Sequence, residues 1–244
     1  CRENLVVDRP TASRKHDDLA IAELFVGGEP VTYGDLKIAV RWPDDPQRKL
    51  RGAQGIRSTM NFGVAFRLVR YCERHKDRGE DVNGMGLLCA SHYGDMQFLH
   101  AMASSPEETT EETQEKVITW ARFSYDYATS KVHDEEELCK ALEDYPAIRM
   151  ALIGREDSFI CVSDDGTPRL VGEFYGFTCR NPLSSGTCYV VDSLDERRTV
   201  AMGAILHLIQ DSYAQGHVQR GRCSDENGEP RATIRLAPVD RKAH

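Results

Sequence analysis

The stretch GAILHLIQDSYAQGH, residues 203–217, sets His207 and Asp211 four apart and places His217 six residues later. On a helix, positions i and i+4 share one face. His207 and Asp211 can therefore enter the same cavity while Leu206 and Ile209 seat the helix in a core. Imidazole nitrogen and carboxylate oxygen are both good zinc ligands. The Gly216–His217 step lets the chain turn and present a third donor from the helix end. A core histidine hydrogen-bonded to a carboxylate would explain the pair alone; the added histidine favours metal.

A second cluster lies in ASHYGDMQFLH, with His92, Asp95 and then His100 about two turns beyond His92. His92 is the better ligand candidate, because the small residues of CASH leave room for close packing. His100 reads more readily as a surface or core histidine. His16 in RKHDD and Asp44 and Asp45 in RWPDDP complete the candidate set, each weak alone, since a charged loop is usually just solvated. The His16–Asp17 pair is similar to that of the HD phosphohydrolases. Their pattern needs a separate upstream histidine, which residues 1–15 lack, and that reading is set aside.

Helices must position these groups. Residues 17–28 fit a short helix closed by glycine, and 29–55, with RWPDDP at the centre, fit a loop. Apolar residues at helical spacing run through 56–75 and 85–104. Residues 105–132 open with an acidic first turn, and 133–152 suit a helix bent or broken at Pro146. The segment 155–192 has turn pairs and β-branched residues, as in a lid-like loop region with a short hairpin. Within it, Cys179 and Cys188 flank RNPLSSGT, a stretch suited to closing a small disulfide loop. The last clear helix, 193–215, starts with Ser193 as its cap and Glu196 three residues on. The expected fold is all-α: residues 1–244 as one helical domain with long functional loops.

Hydrophobic content of 40% and charged content of 29% suit a globular chain. No apolar run is long enough for a transmembrane segment. A net charge of −8 argues against a partner held mainly through phosphate contacts, so nucleic acid is the less favoured ligand. Eight cysteines favour an exported protein, secreted or in the cell envelope. A leading Cys1 is also how a periplasmic lipoprotein starts, and acylation would make its nitrogen a poor metal ligand.

In chain order, His16, an aspartate in a tryptophan-containing loop, SHY and H-x₃-D-x₅-H resemble the zinc-dependent phospholipase C and single-strand-specific zinc nuclease superfamily. H-x₃-D-x₅-H over 207–217 is the most specific part. The resemblance implies two or three zinc ions. One site would use Asp45 or Asp44, His92, His207 and Asp211; a second His16, bridging Asp211 and the backbone of Cys1; a third His217 with His244. The acidic companion that the family places four beyond the last histidine would fall past His244, and members often begin with tryptophan where this chain has Cys1.

The chemistry implied is phosphodiester hydrolysis by a zinc-activated hydroxide, with Asp44 or Asp45 orienting the water and the other acting as ligand. Arg220 is a phosphate-contact candidate, although a solvated surface arginine explains it better. A phospholipid head group is the favoured substrate, with peripheral membrane contact left open. The alternatives are a single-strand-specific nuclease and a non-enzymatic helical interaction module with a structural zinc.

Overall fold

The computed structural model describes residues 25–26, 29–30, 36, 39–44, 70–72, 86–153, 160–162, 166–179, 188–213, 218–224 and 230–236. Its central element is helix α2, Thr110–Ala128, which comes after α1, Gly86–Tyr93. A full capping box starts α2: Glu112 N–H donates to Thr109 Oγ1 at 3.2 Å, and Thr109 N–H donates to Glu112 Oε2 at 2.8 Å. Trp120, Phe123 and Tyr127 recur at helical spacing along its inner face, and all are fully buried. Each such side chain contributes about 1.5–3 kcal/mol through burial alone.

Around α2 lie α3 (Leu138–Ala141), α4 (Pro146–Ile153), α5 (Val171–Gly176) and α6 (Leu194–Tyr213), with α2 packing on both α4 and α6. The break expected at Pro146 is present: a 3-10 turn over Leu142–Asp144 ends at Tyr145, and Pro146 opens α4. Proline suits that first position because its missing N–H would have no helical partner there. Aromatic rings fill the space between helices. Tyr175 stacks on Tyr127 with centroids 4.9 Å apart, and its hydroxyl meets Ser124 Oγ at 2.9 Å, so its polar end is satisfied. The described elements thus form one helical body, as the sequence pattern predicts.

Among the described residues, strands are confined to two-stranded hairpins. β1 (Phe25–Val26) pairs antiparallel with β2 (Glu29–Pro30), which corrects the end of the helix expected over 17–28. The intervening Gly-Gly pair is a hairpin signal that outweighs the apolar run before it. Leu36, Ala39 and Val40 are helical and residues 41–44 form a turn, so the segment expected as loop places Leu36, Ala39 and Trp42 in the core. The hairpin expected within 155–192 is β3 (Phe177–Cys179) with β4 (Cys188–Val190), and Cys179 faces Cys188 in its register. The expected bridge between them concerns side chains outside those described. β5 (Val218–Ser224) and β6 (Pro230–Leu236) pair in a segment for which the sequence suggested no strand.

Among the described residues, two disulfides staple the body. Cys72–Cys89 ties the helical residues 70–72 to α1, and Cys139–Cys161 ties α3 to the 160–162 segment. Such bonds persist in oxidising, extracytoplasmic compartments. Among the described residues, no helix is long and apolar enough to cross a membrane.

Candidate metal centre

Helix α6 presents His207 and Asp211 together, with Nε2 and Oδ2 2.9 Å apart. Ser193 caps α6, its Oγ accepting from Glu196 N–H at 3.2 Å. Arg197, one turn in, clamps α6 to the body: Nε and Nη2 donate to the two Asp134 oxygens at 2.9 and 2.6 Å. Tyr127 donates to the same carboxylate at 2.6 Å. Gly172 seats that carboxylate, since a Cβ there would stand 2.1 Å from Asp134 Oδ1. Ala201, Ala204 and Leu208 bury the helix, with Leu206 partly buried against the core. Ile209, expected to help seat it, is half exposed and takes no part.

His100 reaches the site by a change of phase. α1 stops at Tyr93, Met96 N–H turns back to Ala90 O at 3.1 Å, and Gln97–His100 form a 3-10 turn. Ala101 then adopts a left-handed conformation, φ 55°, which closes the turn. His100 is thereby buried, its Nδ1 3.0 Å from His207 Nε2 and 2.9 Å from Asp211 Oδ2. Asp44, last residue of the 41–44 turn, puts Oδ1 3.8 Å from His207 Nε2 and keeps a side chain 46% exposed. One donor atom each from Asp44, His100 and His207 lies within 4.8 Å of the others.

His92 lies beside this group, its ring centroid 4.7 Å from that of His100. Its Nδ1 is 3.1 Å from the Leu88 carbonyl and 2.9 Å from Ser91 Oγ. A carbonyl can only accept, so Nδ1 carries the proton and neutral His92 keeps its lone pair on Nε2. Burial, then the neighbouring His100, lowers the His92 pKa to about 4, against smaller opposing effects of the Leu88 hydrogen bond and Asp44.

Charge is concentrated on α6. Burial acts against ionisation of Asp211, but hydrogen bonds from His100 and His207 outweigh it and hold the carboxyl well below the usual range. Burial also acts against His207 protonation, yet Asp211 first, and then Asp44 and a hydrogen bond to the Val40 backbone, raise its pKa.

The three closest donor atoms form a triangle with sides of 2.9, 2.9 and 3.0 Å. An imidazole nitrogen has one in-plane direction for a proton or lone pair, so neither histidine can serve both neighbours of its corner well. A cation lets all three lone pairs point at one centre. With zinc–ligand bonds of about 2.0–2.1 Å, a tetrahedral edge is about 3.3 Å. The separations of 2.9 to 3.0 Å among His100, His207 and Asp211, and of 3.8 Å between Asp44 and His207, lie on either side of that length. Asp44, His100 and His207 form a group that could hold one metal ion.

Of the sequence candidates, Asp44, His92, His207 and Asp211 are thus brought together, and His100 joins them. Cys1, His16, Asp45, His217 and His244 lie outside the described residues. Arg220 falls on β5. The signal for His100 was the Gly94–Asp95 pair, which interrupts the helical pattern and so shifts the phase of the residues beyond it. Comparison with protein families, with curated proteins and with solved structures finds no match to this chain.

Proposed function

We propose that Asp44, His100 and His207 hold zinc, with Asp211 orienting the two imidazoles, and that the chain is a zinc-dependent phosphodiester hydrolase. The observation that carries this reading is the convergence of one donor atom each from Asp44, His100 and His207 within 4.8 Å, at an edge where Asp44 is half exposed. Mixed nitrogen and oxygen donors suit zinc, whereas magnesium and calcium favour oxygen alone. Catalytic zinc sites keep one position for water or substrate. Bound there, zinc would supply a nucleophile from water near neutral pH and offset charge on phosphoryl oxygens.

The chain's own residues would divide the remaining work. Asp211 aligns both imidazoles through its two contacts. With Asp44 as ligand, the role of orienting the attacking water falls in this reading to Asp45, its neighbour in the sequence. Neutral His92, whose proton sits on Nδ1, offers Nε2 as a further ligand atom. The order of motifs along the chain supports a phosphodiester as substrate, a phospholipid head group before single-stranded nucleic acid. His16, Cys1, His217 and His244 are the residues we assign to any second or third ion. The two disulfides support a secreted or periplasmic setting, where peripheral contact with lipid is available.

A second reading has its own support. Contacts of 2.9–3.0 Å are ordinary hydrogen-bond lengths, as in a metal-free polar cluster within a helical interaction module. Elemental analysis separates the two, together with turnover of a phosphocholine ester and of denatured DNA with and without chelator. The hydrolase reading expects at least one zinc per chain, lost in His207→Ala, and chelator-sensitive turnover with the ester ahead. Folded protein without zinc favours the metal-free cluster. Zinc without turnover of either substrate leaves a structural site.

A further inference from the structure

Asp44 and the α6 ligands are far apart in the chain, and something must fix the distance between their backbones. The segment 39–44 approaches α6 at Gly203, one helical turn before His207. A Cβ on Gly203 would stand 2.3 Å from the carbonyl carbon of Ala39, 2.5 Å from Ala39 Cβ and 2.6 Å from Val40 N. Two of these atoms are backbone, so no side-chain rotation relieves the overlap. Both neighbours are held: Ala39 is 1% exposed, its carbonyl accepts from Trp42 N–H at 3.0 Å, and Val40 is hydrogen-bonded to His207. Trp42 in turn is packed against Trp120, Phe174 and Tyr175.

We infer that Gly203 is a positioning residue for the metal centre: its missing side chain sets the approach of the Asp44-bearing turn to His207 and Asp211. The inference rests on the zinc reading above. Moving the Ala39 carbonyl carbon from 2.3 Å to the 3.4 Å of ordinary contact displaces the segment by about 1 Å. Metal–ligand distances tolerate about 0.2 Å. A methyl group at 203 therefore removes Asp44 from the donor set while leaving His207 and Asp211 on their own helix.

The test is zinc affinity, measured by competition with a chromophoric chelator, for wild type, Gly203→Ala, Asp44→Asn and the double variant. Melting curves taken in chelator check the fold of each. Gly203→Ala is expected to weaken zinc binding by about 10–100-fold, the range for loss of a supporting contact at a metal site. The double variant should bind no more weakly than Asp44→Asn alone, because one change has already removed what the other displaces. A double variant weakened by the product of the two single effects would mean that Gly203 acts through helix packing, overturning the inference. Wild-type affinity in Gly203→Ala would overturn it directly. If Gly203→Ala does not fold, Ala39→Val thickens the same contact from the opposite side, with the same two outcomes. Wild-type protein that takes up no zinc sinks the metal reading and this inference together, whereas zinc-binding wild type with an unaffected Gly203→Ala sinks only the latter.

Discussion

Replacing His92 with glutamine tests whether a neutral imidazole is built into the site. The His92 pKa of about 4 lies below its ordinary 6.5, chiefly because of burial and then His100. The folded protein therefore resists protonating this group, whereas the unfolded chain does not. The stability that His92 contributes is complete above pH 6.5, declines as the pH falls towards 4, and is fully lost below that. Each pH unit between the folded and unfolded values is worth about 1.4 kcal/mol, which makes the acid limb about 3 kcal/mol. In a chain of this size that corresponds to a Tm change of about 6–12 °C. His207, with its raised pKa, acts in the other direction, contributing stability below pH 6.5 that is lost as pH rises through its folded value. Asp211, with its lowered pKa, loses its contribution only below the ordinary carboxylate range. Among the described residues, the interval from pH 4.5 to 6.5 thus isolates His92. Glutamine can keep a hydrogen bond to the Leu88 carbonyl and cannot titrate, so His92→Gln should flatten Tm across that interval. Thermal unfolding in chelator, with wild type and variant side by side, makes the measurement. A variant that keeps the full acid limb would refute the assignment.

Three further outcomes concern the supports of the centre and of the body that carries it. Asp134→Ala strands the Arg197 guanidinium, 12% exposed, and should cost about 3 kcal/mol in chemical denaturation. Gly172→Ala should cost a similar amount alone and much less beside Asp134→Ala, since the three atoms nearest its methyl group all belong to the Asp134 carboxylate; additive costs would contradict that. Removing the Cys72–Cys89 bridge, which closes a separation of 17 residues, should destabilise by about 3 kcal/mol and lower Tm by about 6–12 °C. A melting curve unmoved in Cys72→Ser/Cys89→Ser would show that the bridge restrains nothing.

How much of the centre could be read from sequence depends on how far its geometry is local. His207 and Asp211 are four apart on one helix, so helical repeat alone brings Nε2 and Oδ2 to 2.9 Å. The same holds for the capped starts of α2 and α6 and for the break at Pro146, where one or two residues determine the local backbone. It fails where phase is altered. On an unbroken helix His92 and His100, eight apart, would lie on similar faces, and the small residues before His92 made it the better candidate. The turn at 94–96 instead sends His100 into hydrogen-bonding contact with both His207 and Asp211 and leaves His92 beside it, the two rings tilted by 56°.

Long-range approach is harder still to read. RWPDDP looks like a solvated loop because its charges are conspicuous, yet Trp42 is buried in the aromatic core, and this fixes where Asp44 stands. Gly203 carries no chemical signal at all; in sequence it is a weak point in a helix, costing about 1 kcal/mol relative to alanine. Its reason appears only in the Ala39 backbone lying where a methyl group would be. A helix that accepts that local cost at a buried position does so for the close contact it permits, and here the contact fixes the position of a carboxylate beside two imidazoles. The centre therefore combines a helical pair legible from spacing with two donors, Asp44 and His100, whose positions depend on packing between distant segments.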